Sequence, residues 1–358
     1  MRDGPSATVL SAAASWGCKI SSWLGGRLLE DVVPISGGRV SGDATQRVQE
    51  SLRITVPRFT VEDGRTIDWK PSAADSPLAR YGQILDVTVI AGDVDGRVGR
   101  FLITDWVVRG GSIDVTASGL LQAPADDRLT VATAPRDDGT LKSEFLRLLP
   151  EYMTATFDPT LVDRDVPRSM QWNEDRLGDL YEIADAWPAR IRMSPWGQVL
   201  VLPPLPDTSI PVLSLTDGEG GTIVEAPPSD SREGSYNMVV ARSSANGVDA
   251  QAIAAVQSGP MAPTGDYHPK PKFFSSPLLP DEAACAAAAQ SMLAEALRPS
   301  RQLQVTMAPD PRPELDDPVE IITDKGTAAE TRDWGYVTGY DLPLTPSDGT
   351  GRLNVAIF

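Results

Sequence analysis

Residues 51–57 alternate apolar Leu52, Ile54 and Val56 with polar Ser51, Arg53 and Thr55, and Pro57 closes the run. A period of two is what a strand shows when one face of its sheet is buried and the other is wet. Strand-like runs recur at 84–90, 99–108 and 112–118, with shorter ones at 27–29 and 32–35 before the punctuation of Gly37 and Gly38. Glycines and aspartates in 91–97 predict a hairpin loop that needs positive φ, and Gly110 with Gly111 predicts the next turn. Roughly five or six strands at this spacing predict a small antiparallel barrel or sandwich. Its expected bounds are 23–130, after an N-terminal arm at 1–22.

The period then changes. Residues 119–140 carry Pro124, Asp126, Asp127, Pro135, Asp137, Asp138 and Gly139, a punctuated stretch that reads as a boundary. Beyond it Leu141, Phe145, Leu148 and Leu149 share one helical face, and Pro150 ends that helix. A second helix is predicted with Asn173 as N-cap, Glu174 and Asp175 in its first turn, and Leu177, Leu180, Ile183, Ala184 and Trp187 on one face. Pro188 stops it, and 189–193 with 198–202 predict a hairpin about the turn at 194–197. The Pro- and Gly-rich stretch 205–228 predicts a loop or irregular strands, so 131–235 is expected to be an α+β middle domain.

From 236 onward the expectation is a second barrel, 236–358, with a long loop and an Ala-rich helix inserted. Residues 236–242 and 250–256 predict strands about an Asn246–Gly247 turn, and 257–279 holds five prolines and predicts an extended loop. The helix opens near Pro280, runs through Met292 and Leu297, and has Pro299 beyond its end. Strands follow at 303–307, 319–323, 333–340 and 353–358. The fold class expected is therefore α+β, mainly β, with two small antiparallel β-barrels and an intervening α/β region.

At 358 residues the chain is long enough for two or three domains, and its 30 glycines and 31 prolines fit a turn-rich, β-rich chain. The formal charge of −17 argues against sequence-independent binding to nucleic-acid phosphates, which needs clustered Lys and Arg. Cys18 and Cys285 are the only cysteines, so neither a disulfide framework nor a Cys-rich zinc site is expected, and a reduced cytosolic folding compartment is. The apolar segment 7–14 is short and broken by Ser and Thr, so a signal peptide is not expected. No run reaches the roughly eighteen apolar residues of a membrane span.

Candidate chemistry is sparse. His268 is the only histidine, flanked by Tyr267 and Pro269 without local partner spacing, and reads as a solvated loop residue. A Gly-x-Ser-x-Gly elbow is absent. Asp93 and Asp95 lack the remaining ligands of a calcium loop, and a hairpin turn explains them. Asp217 and Glu219 could form a carboxylate pair of the glycosidase kind, although acidic residues are too common here for the pair to be specific. Residues 218–221 (GEGG) lack the Lys-Ser/Thr of a phosphate loop, and no Gly-x-Gly-x-x-Gly opens a helix. Trp106, Trp187 and Trp334 are expected in the core. Trp69 and Trp196 fall in turns, where an exposed pair could mark a partner or sugar surface, with core or subunit interface weighing more. Catalytic, cofactor-binding and metal residues are therefore expected to be none, with interface residues unassigned.

Several stretches carry a resemblance: 33–37 (VPISG) with 38–43, then 49–57 (QESLRITVP), 77–82 (PLARYG) and 99–104 (GRFLIT). Residues 236–240 (YNMVV) and 274–278 (FSSPL), ahead of the Ala-rich helix, extend it. In this order they resemble the tail hub, or minor tail protein, of long-tailed phages of actinobacteria. That resemblance implies a baseplate-hub-like fold, a homotrimer whose six barrels make a pseudo-sixfold ring, and a place in the virion at the tail tip. It implies as partners the distal tail protein, the tape measure protein and tail-tip or fibre proteins, with DNA passing through the lumen unbound. It implies no enzyme activity and no cofactor. The alternatives are a cell-wall-degrading tail protein, a carbohydrate-binding tip module using Trp69 or Trp196, and the hub of a related contractile injection apparatus.

Overall fold

The computed structural model describes all residues except 12–14, 207–209, 231, 233–234, 246–247, 298–300 and 358. Among the described residues, most strands join one 14-stranded sheet built from two halves. The first half runs Gly37–Asp43, Glu50–Pro57, Ser112–Gly119, Val94–Arg109, Ile84–Ala91, Trp16–Leu24 and Arg27–Glu30, each antiparallel to the next. The alternation seen in sequence is its cause. In Ile84–Ala91 every second residue is buried, and Leu52, Ile54 and Val56 point into the same core. A side chain period of two leaves no other register in which this face stays dry.

The second half pairs Thr331–Pro343 with Gly351–Ile357, which pairs Arg301–Met307, which in turn carries Ile223–Glu225 and Pro228–Asp230. On its other side Thr331–Pro343 changes partner part-way. Its first residues bond to Pro318–Thr323, itself parallel to Leu213–Thr216, while Gly339–Pro343 bonds to Arg39–Asp43 of the first half. The irregularity between Val337 and Gly339 sits at this change. A bulge there bends the strand and lets it serve both halves. The buried apolar cluster is continuous across the seam, from Val40 and Leu52 to Val337, Val355 and Leu353.

A second core lies beside the sheet. It gathers helices Leu141–Leu148, Arg176–Ala186 and Glu282–Leu297 with two three-stranded sheets, Ala155–Phe157/Val199–Leu202/Arg190–Met193 and Gln251–Ala255/Met238–Ser243/Pro271–Ser276. Thr140 caps the first helix through a reciprocal box with Ser143. Asp175 caps the second, accepting from the Gly178 N–H; Asn173, the expected cap, instead donates its own N–H to Asp179.

Several expectations are corrected. The arm is shorter than 1–22, because Trp16–Leu24 is a strand antiparallel to Ile84–Ala91; its polar Lys19, Ser21 and Ser22 hid the pattern. The loop expected over 91–97 is a tight turn at Gly92 and Asp93, with Ala91 paired to Val94 and Gly92 at φ +63°. Residues 213–230 belong with the second β half, and 238–297 pack into the second core, where Val239, Ala241, Cys285 and Ala288 meet Trp172 and Leu180. The expected barrel at 236–358 is thus split: its strands come from 213–230 and 301–357. Within the long loop, Pro271–Ser276 is a strand parallel to Met238–Ser243. The Asn246–Gly247 turn and Pro299 lie outside the described residues. A ribbon absent from the expectation, Phe59–Glu62 with Arg65–Asp68, turns at Asp63 and Gly64, both at positive φ.

Candidate functional site

The two β halves and the α/β unit meet around a cluster of buried polar groups. Arg2 is buried; its Nη1 donates to the Pro313 carbonyl at 2.9 Å, and its Nη2 donates to Glu50 Oε1 at 3.0 Å and to Tyr340 Oη at 2.8 Å. Tyr340 in turn donates to Glu50. Burial pushes the Glu50 carboxyl up while Arg2 and the Tyr340 hydroxyl pull it down; burial also raises the Tyr340 hydroxyl. The Tyr340 ring lies on Gly42, where an added Cβ would stand 2.3 Å from Cε1. Only a glycine admits the ring at that distance.

The α/β unit is tied in by three further contacts. Asp316, at φ +72°, accepts from Arg190 and, at 2.6 Å, from Arg192 Nε. Gln49 Nε2 donates to the Ile191 carbonyl at 2.8 Å and to Tyr181 Oη at 3.1 Å. Arg97 donates to the Pro195 carbonyl at 3.1 Å and lies 4.1 Å from the centre of the Trp196 ring. Paired in this way, buried charges fix geometry more than they add stability.

Two open clefts flank the junction. One, of about 710 Å³, lies over the polar face of the second half and is lined by Gln302, Gln304, Asn354, Thr338 and Asp341. The other, of about 790 Å³, lies between the sheet and the α/β unit. Asp175, Asp179, Glu182 and Asp185, spaced along one side of the second helix, line it with Glu295 of the third. Burial, then Glu182, raises Asp179 to about 7; burial, then Glu295, raises Asp185 to about 7. This acidic side, absent from the expectations, is legible as i, i+3, i+4 spacing opposite Leu177, Leu180 and Ile183.

The residues singled out in the sequence stand apart from one another. His268 is exposed at φ +61°, and its carbonyl accepts from Asn237 Nδ2. Asp217 accepts from the backbone N–H groups of Lys325 and Asp324, which hold its carboxyl low, while Glu219 is exposed. Asp93 sits in the hairpin turn and Asp95 in a strand, both exposed. Cys18 packs on the first core and Cys285 lies in the second. Among the described residues no group of three or more His, Cys, Asp and Glu could hold a metal ion.

Trp187 is buried as expected, and Trp106 packs partly buried on the first core. Trp69 is buried as well, with its indole donating to Thr60, so it marks no surface. Trp334, expected in the core, is 43% exposed, in the largely exposed first four residues of Thr331–Pro343. Trp196 is exposed, stacked on Arg97. No described helix is long and apolar enough to cross a membrane.

No protein-family model matches the chain, and no curated protein matches it. Solved structures do. The tail protein from Neisseria meningitidis MC58 superposes with a TM-score of 0.64 at 17% identity, over 95% of this chain and 96% of that one. This is the fold of phage tail proteins. The prophage MuSo2 43 kDa tail protein from Shewanella oneidensis matches at 0.60 and 11% identity, over 95% and 98% of the two chains. Prophage tail protein gp18 from Listeria monocytogenes EGD-e matches at 0.55 and 10% identity, over 94% of each. Likeness runs nearly end to end, so the tail-protein fold takes in both β halves and the α/β unit together. The expected mainly β, baseplate-hub-like class is thereby shown.

Proposed function

We propose that this chain is a structural hub of a phage tail tip or baseplate, acting through its geometry and mating surfaces and carrying no enzyme activity. The observation that supports it is the joined pair of β halves, in a fold that superposes over almost its whole length on a prophage tail protein. Three copies would place six β halves in a pseudo-sixfold ring, able to mate a sixfold tail tube and distal tail ring to threefold structures below. A closed cyclic homo-oligomer is the economical way to build such a ring. Tape measure protein and then DNA would leave through its centre. The charge of −17 supports passage without adhesion, since like charge repels phosphate. An origin in phages of actinobacteria rests on the sequence motifs, as the solved relatives come from Neisseria, Shewanella and Listeria.

Electron microscopy of tail tips assembled with this protein tests the reading. The expected image is a threefold ring around an open channel, with this chain in each third and acidic side chains on the lumen. A basic lumen would remove the proposed passage mechanism, and absence of the chain from the tip would remove the hub. Clearing of cell walls by the purified protein, abolished by a single carboxylate substitution, would favour the enzyme alternative instead.

A further inference from the structure

The start of the chain lies in a slot between segments far away in sequence. A Cβ on Gly96 would stand 2.8 Å from the Asp3 carbonyl, and a Cβ on Gly4 would stand 2.6 Å from the Arg312 side chain. The Arg2 N–H donates to the Arg312 carbonyl at 2.9 Å, and Pro5 is buried. At the bottom of the slot the Arg2 guanidinium touches Glu50 of the first half and Tyr340 of the second, 4.8 Å from the centre of the Tyr340 ring. Glu314, on the loop below, adds a carboxylate 3.6 Å from Nε.

The seam spanned by these contacts is short. It consists of five residue pairs, Asp43 with Gly339 through Arg39 with Pro343, directly beside the irregularity at Val337. A short ladder next to a bulge is where a sheet bends most easily. On the outer side, Arg39 ion-pairs with Asp341 and donates to the carbonyls of Asp348 and Thr350. On the inner side stand Gly42, Tyr340 and the Arg2 contacts. A buried guanidinium persists only where charged and polar partners enclose it, so Arg2 fits its place only with both halves in this relation.

We propose that the N-terminal arm is a strap that locks the angle between the two β halves, with Arg2 as the group that engages both. This goes beyond the ring reading and is independent of it, since the lock operates within one chain.

Hydrogen exchange on the full-length protein tests it. In Arg2→Met, amides of 37–43 and 331–343 are expected to exchange at least about tenfold faster, while 84–119 and 282–297 keep their protection. Tyr340→Phe, which keeps the ring on Gly42 and removes only the hydroxyl, should give a smaller acceleration in the same peptides and carries the test if Arg2→Met does not fold. The double variant Arg2→Met with Glu50→Gln removes the orphaned carboxylate; its melting temperature should recover part of the loss while the seam still exchanges fast. Unchanged exchange at the seam would overturn the strap. So would an acceleration spread evenly over the chain, or seam protection restored in the double variant, because the arm would then act only through general stability or through the stranded charge.

Discussion

Replacing Asp179 with Asn should make the protein more stable at alkaline pH and leave it nearly unchanged in acid. Asp179 lies in the first turn of its helix and accepts from the Asn173 N–H at 3.1 Å, two features that favour a charged carboxylate. Burial and the neighbouring Glu182, Asp175 and Glu174 oppose them and prevail, holding the group near 7 against an ordinary 3.8. A gap of about three units corresponds to about 4 kcal/mol, and the open mouth of the cleft reduces this to about 2 kcal/mol through solvent screening. Because the folded value is raised, the carboxyl's contribution is fully present below pH 3.8 and is lost as pH climbs through about 7. Asn keeps the shape and can still accept from Asn173. Urea unfolding of both proteins at about pH 3 and about pH 8.5 gives the comparison, with unchanged m confirming like transitions. The expected result is near equality in acid and a gain of about 2 kcal/mol for the variant in base. A loss of similar size at both values would show that the helix terminus and the Asn173 hydrogen bond outweigh burial, refuting the reasoning.

Other perturbations have equally definite outcomes. Glu144 is fully buried and accepts from Trp172 Nε1 at 2.8 Å, from the Arg136 N–H at 3.1 Å and from Arg147 at 2.6 Å. Burial opposes its charge, but these donors hold it below the ordinary value, so its stabilisation is present above pH 4.5 and fades as pH falls further. Glu144→Ala should cost about 3–5 kcal/mol in denaturant unfolding near neutral pH, and a cost under about 1 kcal/mol would contradict the network. Gly42→Ala should cost about 1–3 kcal/mol and shift the near-ultraviolet circular dichroism of Tyr340, since the ring is wedged by Arg2 and Glu50 and cannot yield. Trp196→Ala should change stability by under about 1 kcal/mol, because the ring is 66% exposed and only stacks on Arg97. Trp69→Ala, by contrast, should cost about 3–5 kcal/mol, as the side chain is only 6% exposed.

Local pattern carried much of the fold. The strands at 51–57, 84–90 and 112–118 and the helices ended by Pro150 and Pro188 were legible because each shows its own period and stop signal. What escaped depends on contacts distant in sequence. Trp16–Leu24 hides because its apolar face is finished by the strand at 84–91, some seventy residues on. Residues 213–216 look like loop until Pro318–Thr323 lies parallel to them. Nothing near Arg2 announces a buried guanidinium, since Glu50 and Tyr340 reach it only after the two halves meet. Trp69 is buried, as the heavier of its two expectations has it, because the ribbon at 59–68 folds its indole onto Thr60, a contact that its turn position alone does not announce. The acidic side of Arg176–Ala186 is legible as well, since Asp179, Glu182 and Asp185 continue at helical spacing from the first-turn Asp175.

The native mass of the purified chain at micromolar concentration tests the hub most directly. A species near 115 kDa, three times the 38.3 kDa chain, is the expected result. A single species at 38.3 kDa that persists as concentration rises and in the presence of its tail partners would contradict it.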